Sequence, residues 1–213
     1  MNPKIGIPRN NLFRFTIVLV LCWAMIGWAD SWESIQREAG RVRSLRADFI
    51  QKKNLEILSD PLISKGKLFF KAPDSLRLEY TSPVRSIILV HENETKRFTQ
   101  GEDGLTRDSG AQISAMRYVI DEISLWFQGK FKESTHFEAS LKPGKRILLS
   151  PKNQSIMSAI ENIELHLSDE PGLLEKAIIF ENQKSRTELI FQNASLNSSF
   201  NETLFLEANT SQH

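Results

Sequence analysis

Short runs in which apolar and charged side chains alternate, each closed by a Pro- or Gly-containing turn, constrain this chain more than any other feature. In Gly66-Lys67-Leu68-Phe69-Phe70-Lys71, Leu68 and Phe70 share one face and Lys67 and Lys71 the other, before a turn at Pro73-Asp74. Successive side chains of a strand point to opposite faces, so such a run buries one side and leaves the other polar. Leu76-Arg77-Leu78-Glu79-Tyr80 repeats the pattern up to Ser82-Pro83. Ser86 to Val90, a turn at Glu92-Asn93-Glu94 and Lys96 to Thr99 follow, and together these read as a meander of short antiparallel strands.

A polar stretch from Gln100 to Gly110 interrupts the meander. Met116, Val119, Ile120, Ile123 and Phe127 then step by three and four up to Gly129, the spacing of one helix face with a glycine stop. Strand patterns resume in Phe137 to Leu141, Arg146 to Ser150, Ile160 to Leu167, Ala177 to Asn182 and Glu188 to Asn193, with turns at Pro143-Gly144 and Pro171-Gly172. A final short strand is expected at Thr203 to Glu207. Near the start, Trp32, Ile35, Ala39, Val42, Leu45 and Phe49 fall at helical spacing, so one amphipathic helix is expected over residues 30–49, with Asp30 and Glu33 as its capping box. The sum is nine or ten strands and two helical segments. That implies one strongly curved antiparallel sheet with helices laid against it.

The first 29 residues stand apart. Lys4, Arg9 and Arg14 precede a run from Phe15 to Trp28 that carries no charge, and small residues lie at Gly27 and Ala29. Its 14 residues fall short of the roughly 20 that span a bilayer as a helix, so the segment reads as a secretory signal cleaved after Ala29. Residues 30–213 would then form a single exported domain. Val20 and Leu21 before Cys22 lack the small residue that a lipoprotein signal needs, so Cys22 belongs to the apolar run. It is the chain's only cysteine, and its removal leaves neither thiol nucleophile nor disulfide.

Charge and motifs exclude several function classes. Of 27 Lys and Arg, three lie in the signal, so 24 face 26 Asp and Glu in the remainder, a net charge near −2 and no basic footprint for nucleic acid. His91, His136, His166 and His213 are scattered, without ligand spacing for a metal. There is no G-x-S-x-G, P-loop or G-x-G-x-x-G, and carboxylate pairs such as Glu161 with Glu164 or Glu92 with Glu94 sit in charged settings. No catalytic residue, metal or cofactor is expected. Six Asn-x-Ser/Thr sequons occur, at Asn93, Asn153, Asn193, Asn197, Asn201 and Asn209. Thirteen Phe, and strands that only partly alternate, leave two readings of the apolar surplus: a filled core, or a greasy concave face able to hold an apolar ligand.

The words Ser44-Leu45-Arg46-Ala47-Asp48-Phe49-Ile50-Gln51, Ser64-Lys65-Gly66-Lys67-Leu68-Phe69-Phe70-Lys71-Ala72-Pro73-Asp74-Ser75-Leu76-Arg77-Leu78-Glu79-Tyr80 and Ser82-Pro83 resemble, in order and spacing, the opening of the LolA family of periplasmic lipoprotein carriers. Leu148-Leu149-Ser150-Pro151-Lys152 and the stretch from Thr187 to Asn197, with Leu204-Phe205 after it, are similar to its second half. The resemblance implies an unclosed antiparallel half-barrel whose apolar concave face is capped by a helical lid and carries acyl chains of lipoproteins. An inner-membrane ABC exporter would be the donor, an outer-membrane site the acceptor, and the carrier a monomer without enzymatic activity. It implies that Leu68, Phe70, Leu76, Leu78, Tyr80, Met116, Val119, Ile120, Ile123 and Phe127 line the ligand site. The family's lid-closing arginine matches Arg77. Alternation alone leaves Arg77 a second reading, an outward arginine paired with Glu79 or another strand's acid. A carrier or sensor of other lipids is the nearest alternative function, ahead of an esterase or a structural envelope subunit.

Overall fold

The structure is a computed structural model that describes residues 31–92, 94–108, 114–181 and 184–209, with side chains of 114–117 left aside. The signal segment, Cys22 and the Asp30 cap lie outside the described residues, as do Asn93, His213 and the side chain of Met116.

The alternating runs become strands as expected. They are β1 (Ser44–Asn54), β2 (Leu62–Lys71), β3 (Ser75–Ser82), β4 (Ser86–His91), β5 (Glu94–Gly101), β6 (Gly104–Arg107), β7 (Phe137–Lys142), β8 (Arg146–Pro151), β9 (Asn162–Leu167), β10 (Leu174–Phe180) and β11 (Arg186–Leu196). All pair antiparallel in one 11-stranded sheet of order β6-β5-β4-β3-β2-β1-β11-β10-β9-β8-β7. The two edge strands, β6 and β7, do not pair with each other, so the sheet stays unclosed. The helices are α1 (Trp32–Ala39), α2 (Ser114–Phe127) and two single turns, α3 (Gln154–Met157) and α4 (Thr203–Leu206), with a 3-10 turn at Phe131–Glu133.

Three expectations are corrected. The N-terminal helix ends at Ala39, and Leu45 and Phe49 belong to β1. Their spacing of four suits a helix, but with Ala47 between them it also suits a strand. Pairing with β2 on one side and β11 on the other decides the matter, since a tertiary ladder outweighs a weak local preference. The polar stretch after β5 does not interrupt the meander: Glu102 and Asp103 form a tight turn and β6 pairs back onto β5. Thr203–Leu206 is a helical turn, not a strand, and it packs Leu204 and Phe205 on Phe69.

Register fixes one apolar face across the sheet. Phe70 pairs with Leu45 and Leu76, Leu68 with Ala47 and Leu78, and Leu76 and Leu78 with Val90 and Ile88. On the other half Phe49 pairs with Phe191, Leu189 with Ala177, Ala177 with Leu165, and Leu165 with Ile147. All of these but Ala47 and the partly buried Phe191 form one buried cluster with Val119, Ile120, Ile123, Trp126 and Phe127 of α2, so α2 lies on this inner face. Gly66 makes one close approach possible: a Cβ there would run into the Phe49 ring and the Glu79 carbonyl. Gly129, with φ of +69°, ends α2 as its position in the sequence implies.

Candidate lipid-binding half-barrel

The residues expected to line a ligand site are brought together, but most are sealed. Leu68, Phe70, Leu76 and Ile120 have no exposed surface, and Leu78, Val119, Ile123 and Phe127 are buried beside them. Phe127 of α2 reaches across the concave face to Phe70 and Phe191, with ring centroids 5.6 and 5.8 Å away. Across this part of the inner face the contact is apolar side chain on apolar side chain. The helix is pinned at its C-terminal end, where Gln128 Nε2 donates to the Pro73 carbonyl at 2.7 Å.

Open space lies at the end of the half-barrel where β1, β3, β5, β8 and β10 finish. A cavity of about 560 Å³ is lined there by Tyr80, Val84, Ile88, Val119, Ile160 and Ile179, with Gln51, Lys53, Arg97, Glu181 and Thr187 around it. That volume lies within the roughly 300–1,000 Å³ of small-molecule sites. Of the expected ligand residues, Tyr80 and Val119 line the cavity, while the other described ones are buried where α2 packs on the sheet. The polar groups near it are engaged. Lys53 lies 3.3 Å from Glu181, which accepts from Thr187 at 2.8 Å, and Arg97 lies 3.2 Å from Asp108. Tyr80 donates to Gln51 Oε1 at 2.8 Å, and burial pushes its phenol up to about 12, against the pull of the Arg97 charge. Tyr80 is therefore a neutral donor at ordinary pH.

The chain's own residues place this architecture with a known group. The model of the outer membrane lipoprotein carrier protein LolA matches residues 40–206. The chain belongs to the LolA family. Solved structures similar to this LolA-family chain include a DUF1329 family protein from Desulfovibrio piger, at 10% identity over 82% of this chain and 95% of that one, with a TM-score of 0.46. MucB in the MucA/MucB complex of Pseudomonas aeruginosa is similar at 13% identity over 82% of this chain and 59% of that one, with a TM-score of 0.47. A LolA superfamily protein from Nitrosomonas europaea is similar at 11% identity over 83% of this chain and 98% of that one, with a TM-score of 0.44. A search of curated protein sequences gives no match.

Arg77 stands on the outer face of this LolA-family sheet, because its inward neighbours Leu76 and Leu78 occupy the other face. Its guanidinium is wholly buried and donates from Nη1 to the carbonyls of Leu204 (3.1 Å) and Glu207 (2.9 Å). Nη2 donates to the carbonyl of Ala208 (3.1 Å) and to Glu79 Oε2 (2.9 Å), and Nε to the same carboxylate oxygen (3.1 Å). All five N–H donors are used. The pairing with Glu79 that alternation allows is present. Apart from those to Glu79, the described hydrogen bonds of Arg77 go to the C-terminal turn, and none goes to α2.

Sequence reasoning missed a second polar group. Glu122 of α2 is 1% exposed; its Oε1 accepts from Ser134 Oγ at 2.5 Å, while Oε2 has no hydrogen-bond partner. Burial, then the charge of Asp121, pushes its carboxyl up to about 6, against the Ser134 hydrogen bond and the Lys152 charge. Ser134 Oγ also accepts the N–H groups of His136 and Phe137, and Tyr118 meets His136 edge to face at 5.0 Å. These contacts tie α2 to the start of edge strand β7. The only sequence signal is position: Glu122 lies three residues after Val119 and four before Trp126, on the border of the apolar stripe.

Among the described residues no three His, Cys, Asp or Glu gather as metal ligands, and no helix is long and apolar enough to cross a membrane. Three of the sequon asparagines accept backbone N–H groups. Asn153 caps α3 through Ile156 N, Asn197 accepts from Arg43 N, and Asn201 accepts from Thr203 N.

Proposed function

We propose that this chain is a periplasmic carrier that shields acyl chains of lipoproteins and shuttles them from the inner to the outer membrane. An ABC exporter would be the donor and an outer-membrane site the acceptor. Residues 1–29 would direct export and be removed, leaving a single non-enzymatic domain of residues 30–213. The observation that carries this reading is the concave apolar face under α2, continuous with a 560 Å³ cavity at one end. Each methylene withdrawn from water is worth about 0.8 kcal/mol, so an acyl chain needs such a surface to cross an aqueous space. The cavity is open now. The wall beyond it is filled by the helix's own Val119, Ile120, Ile123 and Phe127, so cargo longer than the cavity has to displace α2 and replace those contacts with its own methylenes.

A carrier or sensor of other lipids is the second reading. It is favoured by the cavity's charged groups, Lys53, Glu181 and Arg97, which are ion-paired within the protein and single out no particular head group. The test is lipid extraction of the purified protein with mass spectrometry, followed by uptake of a fluorescent acylated peptide. Bound acylated peptide supports lipoprotein cargo, and bound lipid without peptide uptake supports the second reading. A protein that carries no lipid and takes up no acylated peptide overturns both.

A further inference from the structure

The large apolar side chains left exposed are not scattered. Among the described residues they are Ile57, Leu58, Leu62, Ile63, Val84, Met157 and Leu206. The first four lie in the β1–β2 hairpin, Val84 in the β3–β4 turn and Met157 at the end of α3 between β8 and β9. Register puts these three connections at one end of the sheet: Lys53 pairs with Leu62, Lys65 with Ser82, and Leu149 with Ile163 just before and after the α3 connection. This is the end that carries the cavity, of which Val84 and Pro83 are themselves walls. Six of the seven exposed aliphatic side chains thus stand on the rim around the cavity, and Ile57 at the hairpin tip is 86% exposed. Isolated exposed apolar residues are ordinary on any surface; their concentration on one rim is not.

We propose that this rim docks on the surface of a lipid bilayer, with the β1–β2 hairpin tip inserted among the acyl chains. The inference rests on the carrier reading and adds the surface from which cargo enters. Its chemistry follows from the cavity: an acyl chain that must not meet water passes into the half-barrel only where the cavity is in contact with an apolar phase. The side chains themselves favour lipid over a protein partner. Five of the six are branched aliphatics and the sixth is Met157; none is aromatic, the class of side chain that protein interfaces most favour. They also project from three separate connections, and a fluid bilayer receives separate projections without a matching pocket for each. Charge adds little pull of its own. At the tip Glu56 is paired with Lys184, and at the cavity Lys53 is paired with Glu181.

Flotation with phosphatidylethanolamine and phosphatidylglycerol vesicles tests the proposal, using the chain from Asp30 onward, whose residues from Trp32 form one compact unit. A soluble fluorescent fatty acid gives a parallel measure of cavity loading. The parent is expected to float with vesicles in a way that survives added salt. Ile57→Ser with Leu58→Ser should weaken vesicle binding about tenfold or more while leaving uptake of the soluble probe unchanged. Leu206→Ser, which removes the one exposed large apolar side chain away from the rim among the described residues, should leave both unchanged. A parent that loads the probe but does not float, or a tip variant that floats like the parent, overturns the docking surface and assigns the rim to a protein partner. A parent that floats through its tip but loads no probe upholds the docking surface and overturns the carrier reading instead.

Discussion

The two faces of β3 are both buried, and they are covered by opposite means. On the inner face Leu76 and Leu78 meet α2 through aliphatic and aromatic contacts. On the outer face Arg77 holds the C-terminal turn by three bonds to main-chain carbonyls, with Glu79 neutralising its charge. The difference is one of exchangeability. Apolar contacts are not directional, so an acyl chain can stand in for the side chains of α2 at little cost. Fixed carbonyls on a buried guanidinium admit no such substitute, because each bond lost leaves a buried polar group unsatisfied. On the carrier reading proposed above, the inner cover can be traded for cargo, whereas the outer cover is fixed by directional bonds.

The strongest way to break that comparison is Arg77→Leu. It leaves Glu79 without its main partner and three carbonyls, two of them buried, without their Arg77 donors, and the expected loss is about 3–5 kcal/mol in denaturant unfolding. Hydrogen exchange should rise in residues 203–208 and not in α2, whose described residues make no bond to Arg77. Faster exchange in α2 would show that the two covers are coupled.

A smaller effect sharpens the inner side. Glu122 is the one buried carboxylate in α2, held about 1.5 pH units above its ordinary value, which corresponds to about 2 kcal/mol. Because the folded-state value is raised, the protonated form is the favoured one. This contribution is fully present below the ordinary carboxylate range and lost as pH rises through about 6. Glu122→Gln mimics the protonated form at every pH. It should match the parent near pH 4 and exceed it by up to about 2 kcal/mol near pH 8, measured as denaturation midpoints at the two values. Equal stability at both would show that Glu122 is solvated.

Much of this comparison was legible beforehand, and its limits are physical. Alternation alone set Leu76 and Leu78 against Arg77 and Glu79, and the helical spacing of Val119, Ile120, Ile123 and Phe127 gave the apolar cover its correct face. What covers Arg77 was not legible, because its partners lie 127 to 131 residues further on. β1 was misread because Leu45 and Phe49 fit two periods, and β6 because Gly104–Arg107 has little apolar character and is a strand through β5. The cavity was half legible: the sequence singles out Tyr80 and Val119, whereas Val84, Ile160 and Ile179 come from a turn, a loop and a distant strand that only the register of the curved sheet brings together.

The smallest effect belongs where the two kinds of cover meet. Tyr80 follows Leu78 on the inner face, yet it carries a polar bond, from its hydroxyl to Gln51 Oε1 beside the cavity. Removing that bond with Tyr80→Phe should cost about 0.5–1.5 kcal/mol, the net value of one hydrogen bond. The ring stays, and with it the edge-to-face contact with Phe49 at 5.0 Å. The alkaline titration identifies the group, since the parent should show a phenolate step near pH 12 that the variant lacks. If the inner cover is traded for cargo through apolar contact alone, uptake of a fluorescent fatty acid is unchanged or slightly tighter in the variant. Loss of uptake would mean that the Tyr80 hydroxyl grips the ligand, so that the inner face holds it by a polar bond as well as by apolar contact.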